Sequence, residues 1–153
     1  MMSDTHEKYM ELALDEAKKA GQIGEVPIGA ILVAENGEIL SAAHNQTLKQ
    51  VDPTAHAEIL ALRQAAIITN NYRLLNTSLF VTIEPCVMCM GALVHARVKR
   101  IIYGATDPKW GAAGSLYNLA EDFRLNHRLE IIIGVREEQC RELMQAFFRA
   151  KRI

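Results

Sequence analysis

Two short segments, His56-Ala57-Glu58 and Pro85-Cys86-Val87-Met88-Cys89, decide the fold that we predict for this chain. Cys86 and Cys89 are three residues apart at the predicted start of a helix, so their sulfur atoms lie on one face of it. A helix N-terminus favours the thiolate, which is the form that binds metals. His56 lies near the predicted start of the preceding helix. We expect the two helix starts to meet at the C-terminal edge of a sheet, where the imidazole and the two sulfurs converge.

These side chains match the ligands of a catalytic zinc site, in which three protein ligands leave a fourth position for water. A structural zinc site is usually closed by a fourth Cys or His. Here a carboxylate, that of Glu58, lies two residues from His56 instead. Such a carboxylate can take a proton from the activated water and pass it on, which requires hydrogen-bond reach and not metal ligation. The pattern predicts a zinc ion bound by His56, Cys86 and Cys89, with Glu58 as the catalytic proton shuttle.

Each residue alone has a simpler interpretation. A single histidine near a helix start is commonly a surface or core residue, and one CxxC pair is also typical of redox or structural sites. Glu58 alone would be a solvated acid in a first helical turn. The order HxE followed by PCxxC favours the catalytic site over these interpretations. We interpret the third cysteine, Cys140, as a core residue, because it lies on the apolar stripe of the last predicted helix.

Length and composition limit the class of protein. The 153 residues fit one domain, with an ordinary 50% apolar and 23% charged content. Three cysteines without a signal-peptide pattern argue against a disulfide framework, and a cytoplasmic location is the default expectation. No stretch is long and apolar enough to cross a membrane. With a net charge of −1, the whole chain is not an electrostatic trap for nucleic acid, so a local patch would have to hold such a partner.

Hydrophobic periodicity and turn signals predict nine elements in the order α-β-β-α-β-α-β-β-α. The predicted helices run from about Thr5 to Ala20, Asp52 to Thr69, Pro85 to His95 and Glu137 to Ala150. The predicted strands run from about Val26 to Ala34, Glu38 to Ala43, Ser78 to Ile83, Lys99 to Ala105 and Leu129 to Ile133. Asp52 is the expected N-cap of the second helix, with Pro53 as its first residue. Asn36-Gly37 predicts a hairpin, so we expect a mixed five-stranded sheet between helical layers.

The HxE and PCxxC segments resemble the signature of the cytidine and nucleobase deaminase superfamily. The similarity extends over nearly the whole chain, and further stretches look like those of bacterial tRNA adenosine deaminases. These stretches are Glu25-Val-Pro-Ile-Gly-Ala30, Asp52-Pro-Thr-Ala-His-Ala-Glu58, Glu84-Pro-Cys-Val-Met-Cys89, Gly111-Ala-Ala-Gly-Ser115, Asn126-His-Arg128 and Phe147-Phe-Arg149. The two metal-site segments specify only the superfamily. The loop from Asp107 to Ser115 and the Phe-Phe-Arg ending point to the tRNA branch.

This resemblance implies a cytidine deaminase-like three-layer α/β/α sandwich, one Zn²⁺ per subunit and no organic cofactor. It implies hydrolytic conversion of adenosine to inosine at the wobble position of a tRNA, usually an arginine tRNA with an ACG anticodon. A base in a single-stranded loop is easier to extract than one in a duplex. The resemblance also implies a homodimer in which the second subunit helps to hold the anticodon loop. The helix from Pro85 to His95 has more apolar surface than one sheet face needs, so we expect part of it, or its neighbour, to lie in the dimer interface.

The resemblance also suggests RNA contacts. It places Asn45 against the target base, and Asp107 with its loop near the sugar and neighbouring nucleotides. The simpler alternatives are a turn residue and an ordinary tight loop. Phe147 and Phe148, next to Arg149, suit base stacking combined with phosphate contact. Their alternative is that both aromatic rings belong to the core and the basic tail is solvated.

Two other functions remain open at this point. A free-base or nucleoside deaminase acting on guanine, cytosine or cytidine would share the zinc ligands and the shuttle residue. A zinc-stabilised RNA-binding module without turnover is a different class of protein. The presence of Glu58, together with the lack of a fourth Cys or His ligand nearby, argues against such a module.

Overall fold

A computed structural model describes residues 4–151, in which four helices cover the two faces of one five-stranded sheet. The helices are α1 (Asp4–Gln22), α2 (Ala57–Thr69), α3 (Val87–Ala96) and α4 (Glu137–Lys151). The strands are β1 (Gly29–Val33), β2 (Ile39–His44), β3 (Ser78–Ile83), β4 (Arg100–Ala105) and β5 (Glu130–Ile133). The predicted order of elements is confirmed. Within the described range no helix has the length and apolar character needed to span a bilayer.

The sheet is mixed, as predicted, with the strand order β2-β1-β3-β4-β5. β1 pairs antiparallel with both β2 and β3, whereas β3, β4 and β5 run parallel. Asn36-Gly37 forms the turn of the β1–β2 hairpin, and Gly37 has a φ of 90°, which glycine adopts without strain. α3 follows β3 in the chain and therefore begins near the C-terminal end of that strand. The C-terminal ends of β4 and β5 lie at the same edge of the sheet, because the three strands are parallel.

Alternating side chains along the strands face two separate cores. Ile31 and Phe80 pack with α1 and α4 on one face, whereas Leu32 and Leu79 pack with α2 and α3 on the other. Each such buried side chain stabilises the fold by roughly 1.5–3 kcal/mol. Cys140 is buried in the core beneath α1 and α4, as predicted. The expected three-layer α/β/α sandwich is confirmed.

The second helix begins later than the sequence predicted. α2 starts at Ala57, with His56 as its N-cap residue in an extended conformation (φ −74°, ψ 154°). The Asp52 carboxylate accepts hydrogen bonds from the backbone N–H and the hydroxyl of Thr54, so it closes a turn ahead of the helix instead of capping it. The prediction that Asp52 and Pro53 open the helix was wrong for this reason.

The starts of α3 and β1 also differ from the prediction. α3 begins at Val87 and not at Pro85, because Cys86 is its extended N-cap residue. β1 begins at Gly29, three residues after Val26. The N–H of Ile28 is used in a tight turn with the Val26 carbonyl, and the intervening proline has no N–H to donate. The other boundaries lie within two residues of the prediction, which is the usual spread at element ends.

Candidate active site

Three metal-ligating side chains meet where α2 and α3 begin. His56 and Cys86 are the N-cap residues of these helices, and Cys89 lies in the first turn of α3. Nδ1 of His56 lies 3.6 Å from Sγ of Cys86 and 3.5 Å from Sγ of Cys89. A nitrogen and a sulfur that share a tetrahedral zinc ion are about 3.6 Å apart, given their usual bond lengths to the metal. The ligand atoms all lie within 4.8 Å of one another, so the group fits one zinc ion.

The N-cap positions explain why these side chains are available to a metal. Neither His56 nor Cys86 makes a side-chain capping hydrogen bond to its own helix. The unpaired N–H groups of the first helical turn create a positive potential there, which stabilises a thiolate. The later helix starts found in the structure therefore place the ligands at the positions where this potential is strongest.

The two thiols form an unequal pair in the metal-free protein. The pKa of Cys86 is lowered to about 4, because Cys89 donates a hydrogen bond to its thiolate and His56 lies beside it. The pKa of Cys89 is raised, first by that same hydrogen bond and then by burial. The hydrogen bond with Cys86 also raises the pKa of His56. A metal ion has to displace the protons that this group shares, so zinc affinity should fall as the pH falls.

Glu58 lies in the first turn of α2, two residues after His56, and is only 4% exposed. Its Oε1 is buried and accepts no hydrogen bond within the described part of the chain. Because burial disfavours the charged form, the pKa of Glu58 is raised to about 7. A buried carboxylate oxygen that lacks a partner destabilises the protein unless a bound molecule supplies one. The position and the open oxygen fit a group that exchanges a proton with a ligand.

Asn45 follows β2 directly and lies ahead of the loop that leads to His56. The residue is buried, and its backbone N–H donates to the carbonyl of Ile28. Asn45 therefore lies at the start of the segment that leads to the histidine ligand.

Sequence reasoning missed Glu25, a buried carboxylate that organises the loop between β2 and α2. Its oxygens accept hydrogen bonds from the backbone N–H groups of Leu48 and Lys49 and from the hydroxyl of Thr47. The available signal was a single acidic residue at the head of an otherwise apolar stretch. Glu25 therefore fixes the segment that precedes the histidine ligand.

Sequence reasoning also missed the role of Glu84, which lies between β3 and the cysteine ligands and is 3% exposed. Its Oε1 accepts hydrogen bonds from the N–H of Asp107 and the hydroxyl of Ser115. Its Oε2 accepts from the N–H groups of Ala113 and Ser115, both at 3.0 Å. Glu84 therefore holds residues 107–115, which we call the 107–115 loop, against the segment that carries the cysteines.

Asp107 acts inside this loop in the structure. One of its carboxylate oxygens accepts hydrogen bonds from the backbone N–H groups of Lys109 and Trp110. Gly111 forms an isolated antiparallel bridge with the ligand Cys86, so the loop lies beside the metal group. Trp110, whose role the sequence left undefined, is 70% exposed at the tip of this loop. The loop is thus hydrogen-bonded at its base and exposed to solvent at its tip.

Phe147, Phe148 and Arg149 are not brought together with the metal group. They lie on α4, which packs on the face of the sheet opposite α2 and α3. The two rings are in edge contact, with centroids 5.4 Å apart, and the Lys151 ammonium lies 5.0 Å from the Phe147 ring centre. Phe147 is half-buried and Phe148 is 42% exposed, so the two rings are not jointly part of the core.

Comparison with known proteins gives consistent results. Residues 3–105 match the model of the cytidine and deoxycytidylate deaminase zinc-binding region. The chain is similar to the tRNA-specific adenosine deaminase of Haemophilus influenzae, with 47% identity over 98% of this chain and 87% of that protein. A solved structure from a study of A-to-I editing by tRNA:A34 deaminases at the wobble position of transfer RNA superposes with a TM-score of 0.86. That structure is 41% identical and covers 89% of this chain and 98% of its own. The guanine deaminase of Nitrosomonas europaea shares the fold, with a TM-score of 0.81 at 21% identity over 96% of this chain and 85% of its own.

Proposed function

This chain belongs to the zinc-binding cytidine and deoxycytidylate deaminase family, within it to the tRNA-specific adenosine deaminases, and we propose that it deaminates the wobble adenosine of a tRNA. Adenosine and water would give inosine and ammonia. The observation that carries the proposal is the three-ligand group together with a buried glutamate, Glu58, whose Oε1 has no hydrogen-bond partner in the described part of the chain. An arginine tRNA with an ACG anticodon is the substrate that we would test first. We propose a cytoplasmic location, because the proposed substrate is a tRNA.

His56, Cys86 and Cys89 would hold one zinc ion per subunit, at the distances already described. When bound, zinc with three protein ligands supplies an acidified water as the nucleophile. The chain's own contribution is to fix the two thiolates and the imidazole at adjoining helix starts. The whole chain would act as one deaminase domain, since both cores pack against the same sheet.

Glu58 would move the protons. Its unpaired Oε1 would accept a proton from the nucleophilic water and deliver it to the ring nitrogen next to the reacting carbon. The carboxylate would then take the second proton from the hydroxyl group added at that carbon and pass it to the amino group, which leaves as ammonia. Burial keeps bulk water away from this oxygen, so the proton passes between the reacting groups and is not lost to solvent. The side-chain amide of Asn45, a buried residue ahead of the segment that carries His56, would bind and orient the nucleoside.

The RNA contacts would come from two surfaces. The 107–115 loop, which includes Asp107, lies beside the metal group and would contact nucleotides next to the reacting base. Phe147, Phe148 and Arg149 offer ring faces and a cation for stacking and phosphate contact, which single-stranded RNA favours. Because α4 lies in the other helical layer, these residues would contact RNA away from the reacting base.

We also propose that the enzyme is a homodimer with part of α3 in the interface. Val87 on this helix is 49% exposed, and its neighbours Met88 and Ala92 are only half-buried. An apolar helix of this kind would be covered by a second subunit more favourably than by water. Sedimentation of the protein as a monomer at micromolar concentration would contradict this part of the proposal.

The function can be tested with purified, zinc-loaded protein and anticodon stem-loop RNAs. One RNA carries the ACG anticodon, and its matched control has guanosine in place of the wobble adenosine. Free guanine and free cytosine are incubated in parallel. We expect inosine, detected by mass spectrometry after nuclease digestion, from the ACG stem-loop alone. Deamination of the free bases without any inosine in the RNA would replace the proposal with the free-base alternative.

A further inference from the structure

We propose that Glu84 is a positioning residue whose carboxylate fixes the 107–115 loop against the cysteine-bearing segment, so that the loop meets the RNA in one conformation. The identity of the substrate rests on the proposed function. We call the four hydrogen bonds from the 107–115 loop to the Glu84 carboxylate the clamp, and this part of the proposal rests only on the geometry of Glu84 and its donors.

The hydrogen bonds show how the clamp is built. Glu84 is almost completely buried, and both of its oxygens are used by donors from two places in the loop, at Asp107 and at Ala113 to Ser115. Bonds from N–H groups to a charged carboxylate are shorter and stronger than neutral ones. A single side chain therefore joins the two ends of a nine-residue loop, counted from 107 to 115.

Backbone contacts bring the same loop to the metal ligands. The N–H of Ala112 donates to the carbonyl of Pro85, and Gly111 is bridged to Cys86. A Cβ atom built at Gly111 would overlap the carboxylate group of Glu84, so only glycine allows the loop to approach this closely. The loop and the cysteine segment thus form one packed unit with Glu84 at its centre.

The clamp acts on the substrate side of this unit and not on the metal. Among residues 4–151 the hydrogen-bond donors to Glu84 all come from the loop, and the three zinc ligands are not among them. Lys109 and Trp110 are exposed at the tip of the loop, between the two ends that Glu84 holds. Loss of the clamp should therefore lower the fraction of protein with a binding-competent loop while zinc stays bound.

The test uses Glu84→Gln, which keeps the size of the side chain but turns an NH₂ group toward backbone N–H donors. Hydrogen exchange of the full-length zinc protein is followed in the 107–115 peptide and in a peptide from β4. We expect faster exchange in the loop alone, with the zinc content unchanged. If about one molecule in ten keeps the loop ordered, KM for the stem-loop RNA rises ~10-fold, whereas kcat at saturating RNA changes much less. Glu25→Gln is the matched control. It changes an equally buried carboxylate that holds the loop between β2 and α2, so it should leave exchange in the 107–115 peptide unchanged.

Two further variants keep the inference falsifiable if Glu84→Gln does not fold. Gly111→Ala should release the same clamp by steric overlap, and Ser115→Ala removes one donor and should give a smaller change in the same direction. Unchanged loop exchange in these variants would overturn the proposal, as would loss of zinc at unchanged KM in Glu84→Gln. Since exchange and zinc content need no substrate, a wild-type protein that fails to act on the RNA would count against the proposed function alone.

Discussion

Glu58 and Glu84 are both almost completely buried and both lie two residues from a metal ligand, yet their hydrogen bonding is opposite. Glu84 accepts four hydrogen bonds, from three backbone N–H groups and one hydroxyl. Glu58 has a buried oxygen that no described residue satisfies. A carboxylate saturated by fixed donors can only hold structure, whereas one with an open oxygen can accept and release a proton. This difference in hydrogen bonding supports the proposal that Glu58 is catalytic and that Glu84 is structural.

The largest expected effect is on catalysis at Glu58. Glu58→Gln keeps the volume of the side chain but cannot shuttle a proton, so the rate on stem-loop RNA should fall at least ~10²-fold at full zinc content. Turnover by zinc-loaded protein with saturating RNA measures this loss, and metal analysis of the same sample is the control. Near-normal turnover would remove Glu58 from the mechanism and with it the distinction drawn above.

The second prediction concerns the stability of Glu84→Gln. Removing the charge leaves buried N–H donors facing an amide, and hydrogen bonds to a charged group each contribute about 1.5–3 kcal/mol. Glutamine keeps one oxygen, so two of the four hydrogen bonds are lost, and we expect the free energy of unfolding to fall by about 3 kcal/mol, measured by urea denaturation of the zinc-free protein. A loss below ~0.5 kcal/mol, the usual range for surface changes, would show that the four hydrogen bonds contribute little.

The third prediction is that Glu58→Gln stabilises the metal-free protein, whereas Glu84→Gln destabilises it. Its pKa is raised from 4.5 to about 7, so the folded, metal-free protein binds a proton there that the unfolded chain releases above pH 4.5. Stability is therefore lost as the pH rises from about 4.5 to about 7. Metal-free Glu58→Gln should be more stable than wild type at pH 8, by about 3 kcal/mol, since each pKa unit corresponds to about 1.4 kcal/mol.

This gain should disappear at pH 4, where the carboxyl is protonated in both states. Urea denaturation at the two pH values measures it, with Glu84→Gln as the matched variant that should be destabilised at pH 8. Equal stability of Glu58→Gln and wild type at pH 8 would mean that the open oxygen carries no desolvation cost.

The role proposed for Glu58 could be predicted from the sequence, whereas the role of Glu84 could not. His56, Glu58, Cys86 and Cys89 form a local pattern, and the order of the elements followed from periodicity and turn signals. Nothing near Glu84 indicates that it is saturated, because its donors lie 23 to 31 residues further along the chain. The same limit applies to the helix starts. Pro85, one residue before Cys86, and the Asp52-Pro53 pair each signal a helix start locally, but the structure places His56 and Cys86 themselves at the N-caps.

The placement of Phe147 and Phe148 shows a second limit. Helical spacing shows only that adjacent residues point about 100° apart, and it does not say which ring is covered. How much of each ring is covered depends on how α4 lies across β3 and β4, which is a property of the packed sheet. Surface contacts of this kind, unlike a ligand set, have no fixed spacing that a sequence could display.

The smallest expected effect is at Ser115, whose hydroxyl supplies one of the four hydrogen bonds to Glu84. Ser115→Ala removes the hydroxyl that donates to Oε1 of Glu84 but keeps the backbone N–H that donates to Oε2. The carboxylate would still accept three bonds, so the loss of stability should be about 1.5 kcal/mol, the low end of the range for one hydrogen bond to a charged group. Urea denaturation of Ser115→Ala, Glu84→Gln and the double variant measures whether the two changes couple. We expect the double variant to be no less stable than Glu84→Gln alone, because the hydroxyl acts only through that carboxylate. Fully additive losses would mean that Ser115 stabilises the loop independently, and that Glu84 is not the centre of the clamp.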